Sequence, residues 1–173
     1  MSKSEITEVR LAELPKDVDH IKKLWFDYLS WGNGEMQRLY GAHPHSPAET
    51  VESDFNNISK FQAPDGALLL GFNGDDVCGI GCYRRIGDDT AEIKRMYVNP
   101  SFRGIGAGRV MVQHLLASAR QAGYKKIRLD TIKFMFVAHA LYKSMGFREI
   151  DAYPESEIPE QFRPYLLFME LDL

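Results

Sequence analysis

Cysteine is scarce in this chain of 173 residues: there are two, Cys78 and Cys82. They stand four apart in "VCGIGCYRRI", and on a strand their α-carbons would lie about 13 Å apart. A disulfide needs roughly 7 Å or less, so both are expected to face one side of that strand as reduced core thiols. Lys/Arg blocks are missing, and the formal net charge is -3, which argues against a nucleic-acid partner. No apolar run approaches the roughly 20 residues that cross a bilayer, so no membrane partner is expected. The opening "MSKSEITEVR" lacks the apolar core of a secretion signal, and a cytoplasmic location is the expectation. Repeats, linkers and low-complexity tracts are lacking too, so residues 1–173 are expected to form one domain.

What is present is a soluble globular pattern of alternating elements. "ITEVRLAEL" alternates as a short strand. "PKDVDHIKKLWFDYLSW" carries Val18, Ile21, Leu24, Trp25, Tyr28 and Leu29 at the spacing of one helix face, with Pro15 near its start. "GNGEMQRLYGAHPHSP" reads as a Gly/Pro-rich break, and "AETVESDFNNISKF" as a second, weaker helix. Three strands follow in "GALLLGFNGDDVCGIGCYRRIGDDTAEIKRMYV", with turns at Asn73–Asp75 and Gly87–Asp89. A helix from Gly106 to Ala122, the strand "KKIRLDTI", the short helix "VAHALYKSM", the strand "FREI" and a last strand in "RPYLLFMELDL" complete the chain. The order β α α β β β α β α β β predicts an α+β fold with a mixed sheet.

"NPSFRGIGAGRVMV" stands apart, with Gly104, Gly106 and Gly108 at alternate positions behind Arg103. A plain glycine-rich turn fits poorly, because a glycine in a first helical turn costs up to about 1 kcal/mol against alanine. A dinucleotide fingerprint fits poorly as well. The third glycine is misplaced, "NPSFR" separates strand from glycines, and "EIKRMYV" carries two cations where a buried parallel strand should be apolar. A pyrophosphate cradle fits best: helix N-terminal N–H groups bind anions, Arg103 adds a fork of donors, and glycines admit the phosphates.

These residues also resemble a known family. "VNPSFRGIGAGRVMV" is similar to motif A of the GNAT acyltransferases, R/Q-x-x-G-x-G/A, with Arg103, Gly106 and Gly108 on its fixed positions. "ALYKSMGF" resembles the family's motif B, and the likeness is close from about residue 77 to 150. The resemblance implies the GNAT fold: a mixed, mostly antiparallel central sheet flanked by helices and splayed between its fourth and fifth strands. It implies acetyl-CoA as co-substrate. The pyrophosphate would meet N–H groups of Arg103, Gly104, Ile105, Gly106, Ala107, Gly108 and Arg109, and the pantetheine arm would run along Met96, Tyr97 and Val98.

Acyl transfer to an amine needs a donor for the oxyanion, an acid for the thiolate and a base for the ammonium. The resemblance assigns the first to the backbone N–H of Met96 and the second to Tyr142. For the base, Glu92 in "AEIKRMYV" is the candidate. Four residues from Met96, it is expected to share that residue's side of the strand, and the histone acetyltransferase branch carries a base-assigned glutamate in a similar "AEI" context. One departure stands out: the asparagine often found in motif B is here Met135. His43, His45, His114 and His139 read as ordinary polar or packed residues, and no metal site is assigned.

The resemblance implies an acceptor site between "YLSWGNGEMQRLYGAHPHSP" and "DAYPESEIPEQFRPY". Asp151, Glu155, Glu157 and Glu160 would form an acidic lip for a cationic amine, or a solvated loop; Trp31, Tyr40, Tyr153 and Tyr165 would floor a pocket or simply pack. The expected acceptor is a primary amine of a small molecule. A protein lysine or N-terminal amine, or a catalytically silent coenzyme-binding module, are the alternatives, and a homodimer is compatible with the sequence.

Overall fold

The computed structural model describes residues 5–173. Eleven elements follow one another as the periodicities predict: β1 (Glu8–Leu11), α1 (Val18–Tyr40), α2 (Pro47–Asn56), β2 (Ala67–Asn73), β3 (Asp76–Arg85), β4 (Thr90–Val98), α3 (Ala107–Gln121), β5 (Lys126–Ile132), α4 (Phe136–Ser144), β6 (Arg148–Ile150) and β7 (Leu166–Asp172). Short 3-10 turns lie at Ile58–Phe61, Pro100–Phe102 and Glu160–Tyr165. The seven strands make one sheet in the order β1-β2-β3-β4-β5-β7-β6. Every pairing is antiparallel except β4 with β5.

Helices cover both faces of this sheet, so its middle strands are apolar on both sides. Along β2, Ala67 and Leu69 face α3, and with Met111 and Leu115 of that helix and Ile93 of β4 they form one cluster. Leu68, Leu70 and Phe72 face the other way, onto Ile21, Leu24 and Trp25 of α1. The end of β1 is tied to the start of α1 by Arg10, which grips Asp17 through both guanidinium nitrogens at 2.7 and 3.0 Å. Those bonds, working against burial, hold the Asp17 carboxyl down at about 2. Folding therefore gains from this pair above the ordinary carboxylate range and loses that gain as the pH falls toward 2.

Two expectations are corrected. The Gly/Pro-rich break does not begin at Gly32: α1 runs unbroken through Gly32 and Gly34 to Tyr40, and stops at Gly41 in the left-handed conformation (φ 63°). Gly32 is buried there, and a Cβ on it would make an ordinary 3.6 Å contact with Ile132 Cδ1, so the helix tolerates glycine without the packing requiring it. Nor do the two cysteines share a face. The β2–β3 register slips between Gly71 and Phe72. Cys82 then joins the α1-side cluster, while the Cys78 sulfur lies 3.7 Å from where a Gly71 Cβ would project, beside Met111.

Candidate active site

β4 and β5 pair only over Thr90–Ile93 and Lys126–Leu129. Beyond Ile93 they part, β4 keeping β3 and β5 keeping β7. The splay expected between the fourth and fifth strands is therefore present. Its physical cause lies in β4: Arg95 has φ 53°, a left-handed conformation unusual outside glycine, and the β3–β4 register slips between Ile80 and Cys82. This is a β-bulge, and bulges re-aim the residues that follow. Asp54 of α2 holds the bulged residue, 2.6 Å from its Nη2 and 2.8 Å from its Nε. Gly81 supplies the room opposite, since a Cβ there would stand 3.1 Å from Met96 Sδ and 2.8 Å from Leu115 Cδ1.

The bulge overturns one expectation about the site. Met96 packs against the α3-side cluster with Ile93, whereas Glu92 points to the opposite face, so the two side chains do not share a side. Glu92 is fully buried. Its Oε2 accepts a 2.6 Å bond from the Tyr153 hydroxyl, and its Oε1 accepts a 3.0 Å bond from Arg84 Nε, with Lys94 Nζ at 3.7 Å. Burial, and then the neighbouring Glu92 charge, push the Tyr153 phenol far up.

The opening of the splay is a small cleft of about 40 Å³ lined by Tyr28, Lys94, Met96, Asp130, Met135 and Tyr142, among others. It brings Met96 and Tyr142 together as the motifs imply. Tyr142, on α4, is 6% exposed, and its ring meets Phe147 edge-on. Its hydroxyl makes no hydrogen bond to any described residue. Burial, then Tyr28 and Asp130, raise its pKa and keep the phenol protonated. Met135 takes the place before α4 without a side-chain cap, its sulfur 3.8 Å from Thr131 Oγ1.

After β4 the chain turns through Pro100–Phe102, where Asn99 Oδ1 accepts from the Ser101 N–H. Gly104 and Gly106 are both left-handed, at φ 78° and 83°. Gly106 therefore stands before α3 rather than inside its first turn. No side chain caps that helix and no acid lies in its first turn, so the N–H groups of Ala107, Gly108 and Arg109 lack intrahelical partners and suit an anion. Gly108 differs: a Cβ on it would meet Leu141 Cδ2 at 3.3 Å, so this glycine serves the approach of α3 to α4. Arg109 is drawn to the Ser144 hydroxyl at 2.7 Å. Arg103 donates to the Val98 carbonyl at 3.0 Å and stacks over Trp31 and Tyr97. Ile105 is half-buried between them in sequence.

A model of the acetyltransferase (GNAT) family matches residues 21–147. The chain belongs to the GNAT family. An uncharacterized N-acetyltransferase of Schizosaccharomyces pombe is 25% identical over 100% of this chain and 99% of its own length. Human N-acetylaspartate synthetase is 35% identical over 63% of this chain and 37% of that protein. The crystal structure of the Thermoplasma acidophilum PaiA N-acetyltransferase in complex with coenzyme A has a TM-score of 0.70 at 18% identity, covering 96% of this chain and 98% of that one. As a GNAT protein the chain is an acyltransferase, and its mixed seven-stranded sheet with one parallel pair is the GNAT fold.

The acceptor side of this GNAT domain departs from the sequence reading. Two of the four acids of the expected lip are ion-paired, Glu157 with Lys60 at 3.2 Å and Arg84 at 3.7 Å, and Glu155 with Arg128 at 3.8 Å, while Asp151 and Glu160 are exposed. The four aromatics do not share one floor. Tyr40 stacks on Tyr165 at 4.8 Å, Trp31 packs edge-on against Phe134, and Tyr153 serves Glu92. Sequence reasoning missed Lys94 and Asp130 as site residues; they line the cleft and pair at 3.3 Å across the splay. Two cations in "EIKRMYV" were the available signal, since a charge in a buried strand demands a partner. Among the described residues no group of three or more His, Cys, Asp or Glu side chains is placed to hold a metal, and no helix is long and apolar enough to cross a membrane.

Proposed function

We propose that this protein moves the acetyl group of acetyl-CoA to a primary amine of a small molecule, by direct attack while both are bound. The observation that carries this reading is the splayed cleft, lined by Met96 and by Tyr142 with its unpartnered hydroxyl, in a chain whose α3 begins without a side-chain cap. The coenzyme pyrophosphate lies on N–H groups from Arg103 to Arg109, and the guanidinium of Arg103 swings from the Val98 carbonyl onto it. The pantetheine arm runs beside Met96, Tyr97 and Val98, where β4 has no β5 neighbour. The Met96 N–H takes the developing oxyanion, and Tyr142 gives a proton to the departing sulfur.

Two features support a small acceptor. The Tyr40–Tyr165 stack and the Lys60–Glu157 pair bridge the α1–α2 side to the segment before β7, closing over the acceptor side. Beside that pair lies a solvent-open polar recess lined by Ser53, Asp54, Asn57, Ser59, Lys60 and Glu157. The name of the human relative, N-acetylaspartate synthetase, points to an amino-acid product in that protein. Thiol release from acetyl-CoA, followed over free amino acids, polyamines, amino sugars and a lysine-bearing peptide, tests the reading. Turnover with a small amine is the expected result. Turnover with the peptide alone would replace the small acceptor by a protein.

A further inference from the structure

Glu92 and Asp130 meet the cations Lys94, Arg84 and Arg95 on the sheet face opposite α3, and of the two carboxylates only Asp130 lines the cleft. Glu92 is fully buried and both its oxygens are engaged. Asp130, one strand over on β5, keeps 14% of its side chain exposed and lines the cleft beside Met96 and Tyr142. Its Oδ2 accepts from Lys94 Nζ at 3.3 Å, and no described residue donates to its Oδ1. The groups that face it are Lys94, Glu92 and Arg95 from β4, Tyr28 from α1, Tyr142 from α4 and Tyr153 from the segment before β7. Lys94 is 4% exposed on its side chain. Burial opposes its charge, but Asp130 and Glu92 together hold its pKa above the ordinary value. The three tyrosines are all held protonated, chiefly by burial. In this ring Asp130 is the one acceptor of a proton with a lone pair to spare at the cleft.

We infer that Asp130, and not Glu92, takes the proton of the acceptor ammonium, with Lys94 positioning it. This rests on the acetyl-transfer reading above. The ammonium gives one proton to Asp130, which becomes a neutral acid. The freed nitrogen lone pair forms the C–N bond at the thioester carbon, and the carbonyl π pair moves to oxygen. As that pair returns, the C–S bond breaks and sulfur leaves with its electrons, taking the Tyr142 proton. The nitrogen's second proton returns to the Tyr142 oxygen, giving the amide. Asp130 then releases its proton to solvent. Glu92, through Arg84 and Tyr153, is an anchor for Lys94.

The test is the pH–rate profile of Asp130→Asn with whichever amine the wild type accepts. The variant is expected to lose about 10²-fold in kcat near neutral pH, to bind acetyl-CoA as the wild type does, and to regain part of its rate at high pH, where free amine is abundant. A purely structural ion pair predicts a lower melting temperature with an unchanged profile, and that result would overturn the inference. So would a wild-type rate at every pH. Should Asp130→Asn fail to fold because Lys94 is left unpaired, the double variant Asp130→Asn with Lys94→Met removes both buried charges and must show the same loss and the same recovery. If the wild type itself transfers acetyl to no amine, the activity fails and Asp130's role with it. An active wild type with an undiminished variant removes Asp130 alone.

Discussion

The α3 face of the sheet buries apolar side chains almost exclusively, Ile93, Met111, Leu115 and Met169 among them. The opposite face buries Glu92 and Lys94 outright and draws in Arg95, Arg84 and Asp130 around them. The proposed coenzyme end is built of backbone, two left-handed glycines and a helix start without a side-chain cap. The proposed acceptor face is built of side chains from α1, α2, β3, β4, β5 and the segment before β7. A backbone device is written in consecutive residues, whereas a side-chain device is assembled by the fold. Breaking the first should abolish coenzyme binding and spare the fold; breaking the second should tax stability and chemistry together.

The largest effect is expected at the coenzyme end. Arg103→Glu reverses the charge beside the phosphate cradle, and Gly106→Trp forces a bulky side chain into φ 83°, where only glycine is unstrained. Either variant should lose more than about 10²-fold in acetyl-CoA affinity by calorimetry while keeping the far-UV circular dichroism of the wild type. Unchanged affinity in both would remove the cradle.

Tyr142→Phe comes next. The hydroxyl has no partner among the described residues, so removing it leaves no donor or acceptor stranded, and the ring keeps its edge contact with Phe147. A loss of about 10²-fold in kcat with unchanged coenzyme affinity and melting temperature is the signature of a proton donor. A proportional loss of affinity would make Tyr142 a packing residue of the cleft.

Glu92→Gln should act on stability. The change removes a fully buried charge from Arg84 and Lys94 but can keep the Tyr153 bond. Breaking a buried pair costs roughly 3 kcal/mol or more, visible as a shifted urea midpoint. The position of the pH–rate limb should stay where it is in the wild type. A limb that disappears in Glu92→Gln and survives in Asp130→Asn would restore Glu92 as the base.

The same contrast explains what could be read beforehand. The order of all eleven elements followed from apolar periodicity and turn residues, and the splay followed from motif likeness. The bulge did not. Nothing in "EIKRMYV" says that Arg95 adopts φ 53°, and the partner that holds its side chain, Asp54, is 41 residues away. Without the bulge, strict alternation put Glu92 and Met96 on one side. The partners Lys94 and Asp130 are 36 apart, and Glu92 and Tyr153 are 61 apart; periodicity is silent at such distances. The end of α1 was misread for a local reason, since Gly32 and Gly34 look like a break although the helix carries both through to Gly41.

The smallest effect is expected at Gly108, where sequence reading and geometry divide. As part of the cradle, it should resist any side chain. Its Cβ direction, however, points to Leu141 Cδ2 at 3.3 Å, the tip of a partly buried side chain that a small torsion can move. The N–H that would meet a phosphate is kept by alanine. Alanine also recovers up to about 1 kcal/mol of helix propensity inside α3, against a contact that must give by a few tenths of an ångström. Gly108→Ala should therefore unfold in urea within about 1 kcal/mol of the wild type and bind acetyl-CoA within a few-fold of it. Gly106→Ala meets no neighbour within 4 Å, yet sits at φ 83° and should lose about 1 kcal/mol to backbone strain alone. If Gly108→Ala instead lost coenzyme binding with its stability intact, the glycine would belong to the cradle after all, and the packing of α3 on α4 would be a consequence of that closeness rather than its reason.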